Sequence, residues 1–136
     1  MARLLVTGGA GFIGANFVDY WLEKNPNDHV VVLDALTFAG NIQSIEQLQS
    51  RRQFSFVQGD IVDSEQVISL LSNERIDTVV HFAAESHVDR SIVDPNEFVR
   101  TNVLGTQSLL EAARRVWLNN NIQHRFHHVS TDASAG

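Results

Sequence analysis

Residues 7–14, TGGAGFIG, decide the fold that this sequence predicts. The stretch stands between a short apolar run and a segment of helical period, and three of its glycines, Gly8, Gly11 and Gly14, are spaced as GxxGxxG. Glycines at such a junction let the chain turn sharply off a strand, let backbone N–H groups approach a phosphate, and seat the next helix against a sheet. A phosphate there lies at the positive end of the helix dipole. The stretch therefore predicts a strand, a phosphate-binding turn and a helix.

The same strand-and-helix unit recurs along the chain, because apolar runs of strand length alternate with longer segments of helical period. Such alternation builds a parallel sheet with right-handed crossovers and helices on both faces. We therefore expect an α/β fold, a Rossmann-type doubly wound parallel sheet of about five strands with four helices. The predicted strands are Arg3–Thr7, His29–Asp34, Phe54–Val57, Asp77–Ala84 and Arg125–Thr131, and the predicted helices are Phe12–Lys24, Ile42–Ser50, a segment from Ser64 and one from Pro95 to about Trp117.

Local signals support these boundaries. Asp63 with Gln66, and Asp94 with Pro95, have the residue types that cap and open helices. The second and fourth strands are apolar without a gap, which is typical of strands covered on both faces. In the first helix we expect one side to face the core, formed by Phe12, Ile13, Phe17, Tyr20, Trp21 and Leu22.

An acidic residue supports a dinucleotide site at the glycine turn. Asp34 ends the second predicted strand, twenty residues after Gly14. A carboxylate at that position accepts hydrogen bonds from the ribose 2′-OH and repels a 2′-phosphate. The pattern therefore predicts a dinucleotide site that prefers NAD over NADP. The alternative is a set of structural glycines beside an Asp that caps a helix.

Two further pairs of residues end strands at the same predicted edge. We expect Asp60 to hydrogen bond the adenine amino group and Ile61 to pack on its ring, although a surface turn is the alternative. Ala83 and Ala84 are small where a cofactor crosses the edge, and close packing is their alternative. The residues predicted to bind the cofactor are Gly8, Gly11, Phe12, Ile13, Gly14, Asp34, Asp60, Ile61, Ala83 and Ala84.

Composition argues against several classes of function. The net charge is −6 at pH 7 and no run of Lys and Arg is long enough to track phosphates, so we expect no nucleic-acid partner. The absence of Cys excludes disulfides and thiolate metal sites. No apolar run approaches the roughly 20 residues of a membrane helix, and the N-terminus lacks the pattern of a signal peptide. We therefore expect a cytoplasmic protein with no membrane contact.

Polar clusters elsewhere are interpreted as structural. The segment Ser86–Asp89 contains hydrolase-type residues, but a catalytic triad is assembled from separated chain positions. His127 and His128 adjoin on a strand and therefore point to opposite faces. His81 and His87 lack a supporting third ligand. We predict no metal site.

Several segments together resemble one family: TGGAGFIG, LDALTFAGN, GDIVD, HFAAESHVDRSI, FVRTNVLGT, LLEAARR and FHHVSTD. They are similar to the extended short-chain dehydrogenases/reductases, and among these to the dTDP-glucose 4,6-dehydratases. Ala83–Ser91 and Leu36–Asn41 account for most of the specificity, since the glycine motif is shared across the superfamily. The resemblance implies a tightly bound NAD that is regenerated in each turnover, and a dTDP-sugar that becomes its 4-keto-6-deoxy derivative.

The resemblance also implies roles for individual residues. Thr131 matches the hydroxyl that hydrogen bonds the reacting O4 of the sugar, and Asp132 matches the acid that protonates the departing hydroxyl. Ser86 matches a substrate-side hydroxyl near the nicotinamide, and Asn102 matches the Asn that helps to organise the family's catalytic Lys. The alternatives are a strand-end cap for Thr131 and Asp132, a loop Ser, and a buried, hydrogen-bonded Asn.

Other parts of the family's catalytic set are not among these 136 residues. The family motif continues as TDEVYG, whereas Ala133 follows Asp132 here. The single Tyr, Tyr20, precedes Lys24 by four residues, but it lies in the first helix and is predicted to face the core. We therefore interpret residues 1–136 as an NAD-binding Rossmann domain that is incomplete at its C-terminal side, without the YxxxK helix and the substrate lobe. Because acid–base groups act as a unit, we expect this chain alone to be inactive.

Two alternative functions stay open: a stand-alone NAD-binding or regulatory module, and a fragment of a nucleotide-sugar 4-epimerase. The last helix also has an apolar face, and in this superfamily that helix commonly pairs across a dimer interface. With the following helix absent, we expect the face to be partly uncovered and to cause self-association or a homo-oligomer. Its residues are Phe98, Val99, Val103, Leu109, Leu110 and Val116.

Overall fold

The structure is a computed structural model that describes residues 2–8, 12–34, 46, 48–49, 53–82, 95–120 and 123–129, with the backbone alone at 12, 13, 95–103 and 120. Five strands and three helices lie within these ranges. The strands are β1 (Arg3–Thr7), β2 (His29–Asp34), β3 (Phe54–Gln58), β4 (Thr78–Phe82) and β5 (Arg125–Val129), and the helices are α1 (Phe12–Lys24), α2 (Ser64–Asn73) and α3 (Pro95–Asn120).

The five strands form one parallel sheet in the order β3-β2-β1-β4-β5. The chain runs outward from β1 through β2 to β3 and then returns to the other side of β1 for β4. The strand order therefore reverses between β1 and β4, which is the point at which open α/β sheets bind ligands beyond their carboxyl ends. The predicted parallel, doubly wound sheet is confirmed.

Helices cover both faces of the sheet and create two cores. The α1 core contains Val18 and Leu22 of α1, and the α2/α3 core contains side chains of both other helices. Each fully buried Val or Leu stabilises the fold by about 1.5–3 kcal/mol. The sheet residues alternate between the two cores: Leu4, Val6, Val30, Val32, Val80 and Phe82 face α1, whereas Leu5, Val31, Leu33 and Val79 face α2 and α3.

The second predicted helix, Ile42–Ser50, falls mostly outside the described residues. Within it, Glu46 and Leu48 are helical, and Leu48 is buried in the α1 core. The predicted cap of α2 is confirmed, since the Asp63 carboxylate accepts a hydrogen bond from the Gln66 backbone N–H at 3.3 Å. Asp94, the other predicted cap, lies outside the described residues.

One prediction about a helix face is wrong, and another holds only in part. Tyr20 does not face the core, because its side chain is 61% exposed. The buried stripe of α1 runs through Gly14, Val18 and Leu22, and Tyr20 lies about 200° around the helix from Val18.

The apolar face of α3 also differs from the predicted one. Leu109 and Val116 are buried in the α2/α3 core instead of being uncovered, while Leu110 is exposed as predicted. The exposed leucines of α3 also include Leu104 and Leu118. The side chains of Phe98, Val99 and Val103 lie outside the described part. None of the described helices is both long enough and apolar enough to cross a membrane.

Candidate functional site

The turn after β1 requires glycine at position 8 for two reasons. Gly8 has a φ angle of +72°, in the left-handed region that disfavours L side chains. A Cβ at this position would also lie 2.7 Å from the carbonyl oxygen of Phe82 in β4. On its other side, the Gly8 N–H donates a hydrogen bond to the Leu33 carbonyl at 3.1 Å. The turn is thus held between the carboxyl ends of β2 and β4.

Helix α1 begins just beyond this turn and presents its N-terminus to the same edge. Its first turn contains no acidic side chain, so no residue of that turn neutralises the positive end of the dipole. Gly14 is buried within α1, as expected for a glycine that seats a helix against a sheet. This arrangement is chemically suited to a phosphate.

Asp34 lies at the same edge, one strand away from the Gly8 turn. It is the last residue of β2 and stands opposite Gln58 of β3. Its carbonyl accepts a hydrogen bond from the Gly59 N–H at 3.1 Å, which fixes the exit of β3 beside it. Leu33, the acceptor of the Gly8 N–H, immediately precedes Asp34 in β2. The Gly8 turn is therefore hydrogen bonded to Leu33, which is the residue before Asp34, the predicted ribose acceptor.

The turn between β3 and α2 holds the two residues predicted to contact adenine. Asp60 is exposed, and its Oδ1 accepts a hydrogen bond from the Val62 N–H at 3.1 Å, which closes a short local turn. Ile61 is half-buried and packs against Gly105 of α3, where an added Cβ would come within 2.6 Å of Ile61 Cδ1. Adenine binding by these two residues stays a prediction.

His81 in β4 is a buried, neutral, hydrogen-bonded residue. Its Nδ1 lies 2.5 Å from Thr7 Oγ1, its Nε2 lies 2.9 Å from Thr106 Oγ1, and its ring stacks on His128 at 5.2 Å. Burial lowers the pKa of His81 to about 4, and the neighbouring His128 contributes to the shift. With both ring nitrogens bonded to hydroxyls, His81 has the structural role that the sequence suggested.

The described residues bring together only part of the predicted site. Gly8, Gly14, Asp34, Asp60 and Ile61 all lie at or near the carboxyl edge of the sheet. For Phe12, Ile13 and Asn102 the backbone alone is described, and it is helical. The remaining predicted residues lie outside the described ranges: Gly11, Ala83, Ala84, Ser86, Thr131 and Asp132.

Two interactions at this edge were not predicted from the sequence. The His81 hydrogen bonds depend on the register that pairs β1 with β4, and the two strands are more than 70 residues apart in the chain. The Gln66 side chain, predicted only as part of a helix start, donates to the Gln58 carbonyl at 3.3 Å and lies against Gly59. A Gln three residues after a capping Asp was the available signal, but its acceptor depends on how β3 ends.

Comparison with curated proteins identifies close relatives. The chain is 50% identical over 134 residues to a dTDP-glucose 4,6-dehydratase of Mycobacterium tuberculosis, and 43% identical over 138 residues to one of Escherichia coli. Both alignments cover 98% of this chain but 38% of the relative. The chain therefore spans a little over a third of the length of these relatives. The resemblance to this group of enzymes is confirmed.

Solved structures of both dehydratases and epimerases are similar to the chain, and a family model matches it. The dTDP-glucose 4,6-dehydratase of Streptomyces venezuelae, solved with NAD bound, is 45% identical and superposes with a TM-score of 0.76 over 90% of this chain and 38% of that one. The UDP-Glc/GlcNAc 4-epimerase of Campylobacter jejuni superposes with a TM-score of 0.81 at 32% identity, over 100% of this chain and 39% of that one. The family model for GDP-mannose 4,6 dehydratase matches residues 5–136. The chain belongs to the GDP-mannose 4,6 dehydratase family.

Proposed function

We propose that this chain is the NAD-binding portion of a dTDP-glucose 4,6-dehydratase, an enzyme that converts dTDP-glucose to dTDP-4-keto-6-deoxyglucose in deoxysugar biosynthesis. The single observation that best supports the NAD-binding part of this proposal is that the Gly8 turn is hydrogen bonded to Leu33, the neighbour of Asp34, at the carboxyl edge of the sheet. The relatives named as dTDP-glucose 4,6-dehydratases, at 43–50% identity, support the same enzyme class.

The residues present suit a dinucleotide. At Gly8, the left-handed φ angle and the close contact with the Phe82 backbone exclude a side chain, as expected for the glycine that turns the chain off a strand before a pyrophosphate. The Asp34 carboxylate would accept hydrogen bonds from the ribose hydroxyls and disfavour a 2′-phosphate by charge repulsion. When bound, NAD supplies the hydride acceptor and donor for the reaction.

The proposed catalytic roles rest on the family resemblance and concern residues outside the described ranges. Thr131 would hydrogen bond the sugar O4, Asp132 would protonate the departing hydroxyl, and Ser86 would contact the sugar. Ala133 has no group that takes a proton, and no Tyr-Lys pair follows β5 within the 136 residues. We therefore propose that residues 1–136 alone bind the cofactor without turnover.

A nucleotide-sugar 4-epimerase is the second candidate, because the Campylobacter jejuni epimerase superposes well on the chain. The dehydratase is favoured by its higher identity, 45% against 32% for these two solved structures. A stand-alone NAD-binding or regulatory module is the third candidate, since the described edge contains binding features and no described catalytic group.

Calorimetric titration with NAD, NADP and ADP tests the proposed cofactor. We expect NAD to bind more tightly than NADP, and Asp34→Asn to reduce that preference by about tenfold, or about 1.4 kcal/mol. Asp63→Asn is the matched control, because it removes one negative charge near the same edge while Asn preserves the helix cap. Lack of binding by all three nucleotides would refute the cofactor proposal.

Incubation with dTDP-glucose and NAD tests the proposed lack of activity. We expect no 4-keto-6-deoxy product from the chain alone. Appreciable product would show that the residues outside this sequence are not needed. Product from UDP-glucose with inversion at C4 would favour the epimerase instead.

A further inference from the structure

A chain of hydrogen-bonded polar side chains, two of them buried and one partly buried, joins the glycine turn to α3. Thr7 is the last residue of β1 and immediately precedes Gly8, while His81 immediately precedes Phe82, the residue against which Gly8 packs. The register pairs Thr7 with His81 directly. The hydrogen bond between their side chains therefore lies one residue before the close contact between Gly8 and Phe82.

The same imidazole connects this junction to α3. His81 Nε2 lies 2.9 Å from Thr106 Oγ1, and Thr7 and His81 are 1% and 3% exposed. A neutral imidazole has one donor and one acceptor nitrogen, so it can satisfy two hydroxyls at once and leave no buried polar atom unpaired. Loss of a hydrogen bond to a buried group destabilises the fold, because the remaining partner is left without either a hydrogen bond or water.

Gly105, the residue before Thr106, connects α3 to the turn between β3 and α2. Gly105 is buried and packs against Ile61, in the turn that follows β3. Adjacent residues of α3 thus contact the β1–β4 junction through Thr106 and the β3–α2 turn through Gly105. The Gly8 turn and the Ile61 turn lie on opposite sides of β2. Helix α3 contacts His81, which lies next to the first turn, and Ile61 in the second.

We propose that His81 is a positioning residue, which together with Thr7 and Thr106 braces α3 and fixes the Gly8 turn and the Ile61 turn at the separation that a dinucleotide requires. This rests on the proposed function, since it assumes that the cofactor occupies this edge. His81 itself does not touch the cofactor in this proposal. It acts through the two strands and the helix that it joins.

Thr106→Val tests the brace with little change in shape, because it replaces one hydroxyl by a methyl group. We expect the Kd for NAD to rise by about five- to tenfold, as for the loss of one partly buried hydrogen bond whose other partner, His81, is buried. Thr106→Ser keeps a hydroxyl and should restore binding to within about twofold of the original chain.

Trp117→Phe is the matched control for stability. Trp117 is in the same helix and donates from Nε1 to the Ile76 carbonyl at 2.8 Å, at the opposite end of the sheet. We expect this variant to lower the free energy of unfolding about as much as Thr106→Val while leaving the Kd for NAD within about twofold. An unchanged Kd in Thr106→Val, or an equal rise in Trp117→Phe, would overturn the proposal.

Hydrogen exchange at the Gly8 amide separates this proposal from that of cofactor binding. The Gly8 N–H is bonded to the Leu33 carbonyl, so its exchange rate reports the turn without any ligand. We expect faster exchange at Gly8 in Thr106→Val, but not in Thr106→Ser or Trp117→Phe. If the original chain bound no NAD, the proposed function would be refuted. The exchange rate at Gly8 would still show whether His81, Thr7 and Thr106 hold the turn in place. An unchanged exchange rate at Gly8 in Thr106→Val would refute the positioning role of His81 in either case.

Discussion

Gly8 combines a left-handed φ angle of +72° with a 2.7 Å approach of its would-be Cβ to the Phe82 carbonyl oxygen. Either feature alone favours glycine, and because of the two together any side chain at position 8 would destabilise the fold. A flexible side chain could move away from an added methyl group, but the Phe82 carbonyl is part of the β4 backbone. The residue is therefore determined by its two neighbouring strands as well as by its own conformation.

Gly8→Ala should lower the free energy of unfolding by about 2–4 kcal/mol, from the left-handed conformation and the backbone overlap together. Denaturant titration measures this loss. Gly105→Ala is the matched control, because its new Cβ would meet side-chain atoms of Ile61 and Val62 and no backbone atom, and Ala favours helix by about 1 kcal/mol. A smaller loss in Gly8→Ala than in Gly105→Ala would contradict the role assigned to the turn.

His81 should make the stability of the chain depend on pH. Burial lowers its pKa from 6.5 to about 4 in the folded state, so between these values the unfolded chain binds more protons. The stabilisation is complete above about pH 6.5 and is lost as the pH falls toward 4, by on the order of 2 kcal/mol. Burial also lowers the pKa of His29, which acts in the same direction.

Denaturant titrations between pH 7 and 4.5 measure this dependence, and His81→Gln should weaken it by removing the titrating ring. His127→Gln, at an exposed position of β5, is the control for replacing a histidine in the neighbouring strand. Equal slopes in the original chain and in His81→Gln would show that His81 is not the group responsible.

At the scale of elements, the start of α2 shows how two side chains set a boundary at the carboxyl edge of the sheet. The Asp63 carboxylate accepts from the Gln66 N–H, and the Gln66 amide in turn donates to the Gln58 carbonyl at the end of β3. The cap therefore fixes both the helix and the turn that contains Asp60. Disturbing it should affect local order as well as helix stability.

Asp63→Ala should cost about 1 kcal/mol of unfolding free energy, as is usual for the loss of an N-cap. Asp63→Asn should cost only a few tenths, because an amide oxygen caps almost as well. Thermal or denaturant unfolding of the pair measures the difference. Equal stability of the Ala and Asn variants would show that the cap contributes nothing.

The strands and described helices could be predicted because each has a clear period and clear end signals. Helix faces were harder. Tyr20 was placed on the core side because apolar residues cluster near it, but the buried stripe follows Gly14, Val18 and Leu22. Leu109 and Leu110 are equally apolar, and only the position of α3 over the sheet decides which is buried.

The candidate site shows the same division. The positions of Gly8 and Asp34 were predictable because both lie at strand ends, while their roles in binding a cofactor stay predictions. The partners of His81 were not, because they depend on the register between β1 and β4 and on the packing of α3. Side-chain periodicity specifies a face, whereas a hydrogen bond across elements requires the assembled sheet.

At the scale of the whole molecule, β5 is the outermost strand of the described sheet on one side and is largely exposed. Beside it, a groove lies between α3 and the segment that contains β5. An open strand edge next to apolar side chains favours association with another chain. The groove is lined by Leu110, Ala113, Arg114, Trp117, Leu118, His124 and Phe126.

We therefore expect self-association that increases with concentration and decreases in the double variant Leu110→Glu, Leu118→Glu. These side chains are 45% and 65% exposed, so their replacement should leave the cores intact. Sedimentation velocity measures the association. Tyr20→Glu, an equally exposed position on α1 across the sheet, should leave it unchanged. A clean monomer at high concentration would refute the prediction.

The most direct test of the central proposal is an NMR titration of the labelled chain with NAD. We expect the amide signals of Gly8, Asp34 and Asp60 to shift in a saturable way, because they lie at the carboxyl ends of β1, β2 and β3, along one edge of the sheet. The signals of Trp117 and His124, at the far end of α3 and in the groove, should stay in place. Saturable shifts confined to the groove, or no shifts at any residue, would contradict a cofactor site at this edge.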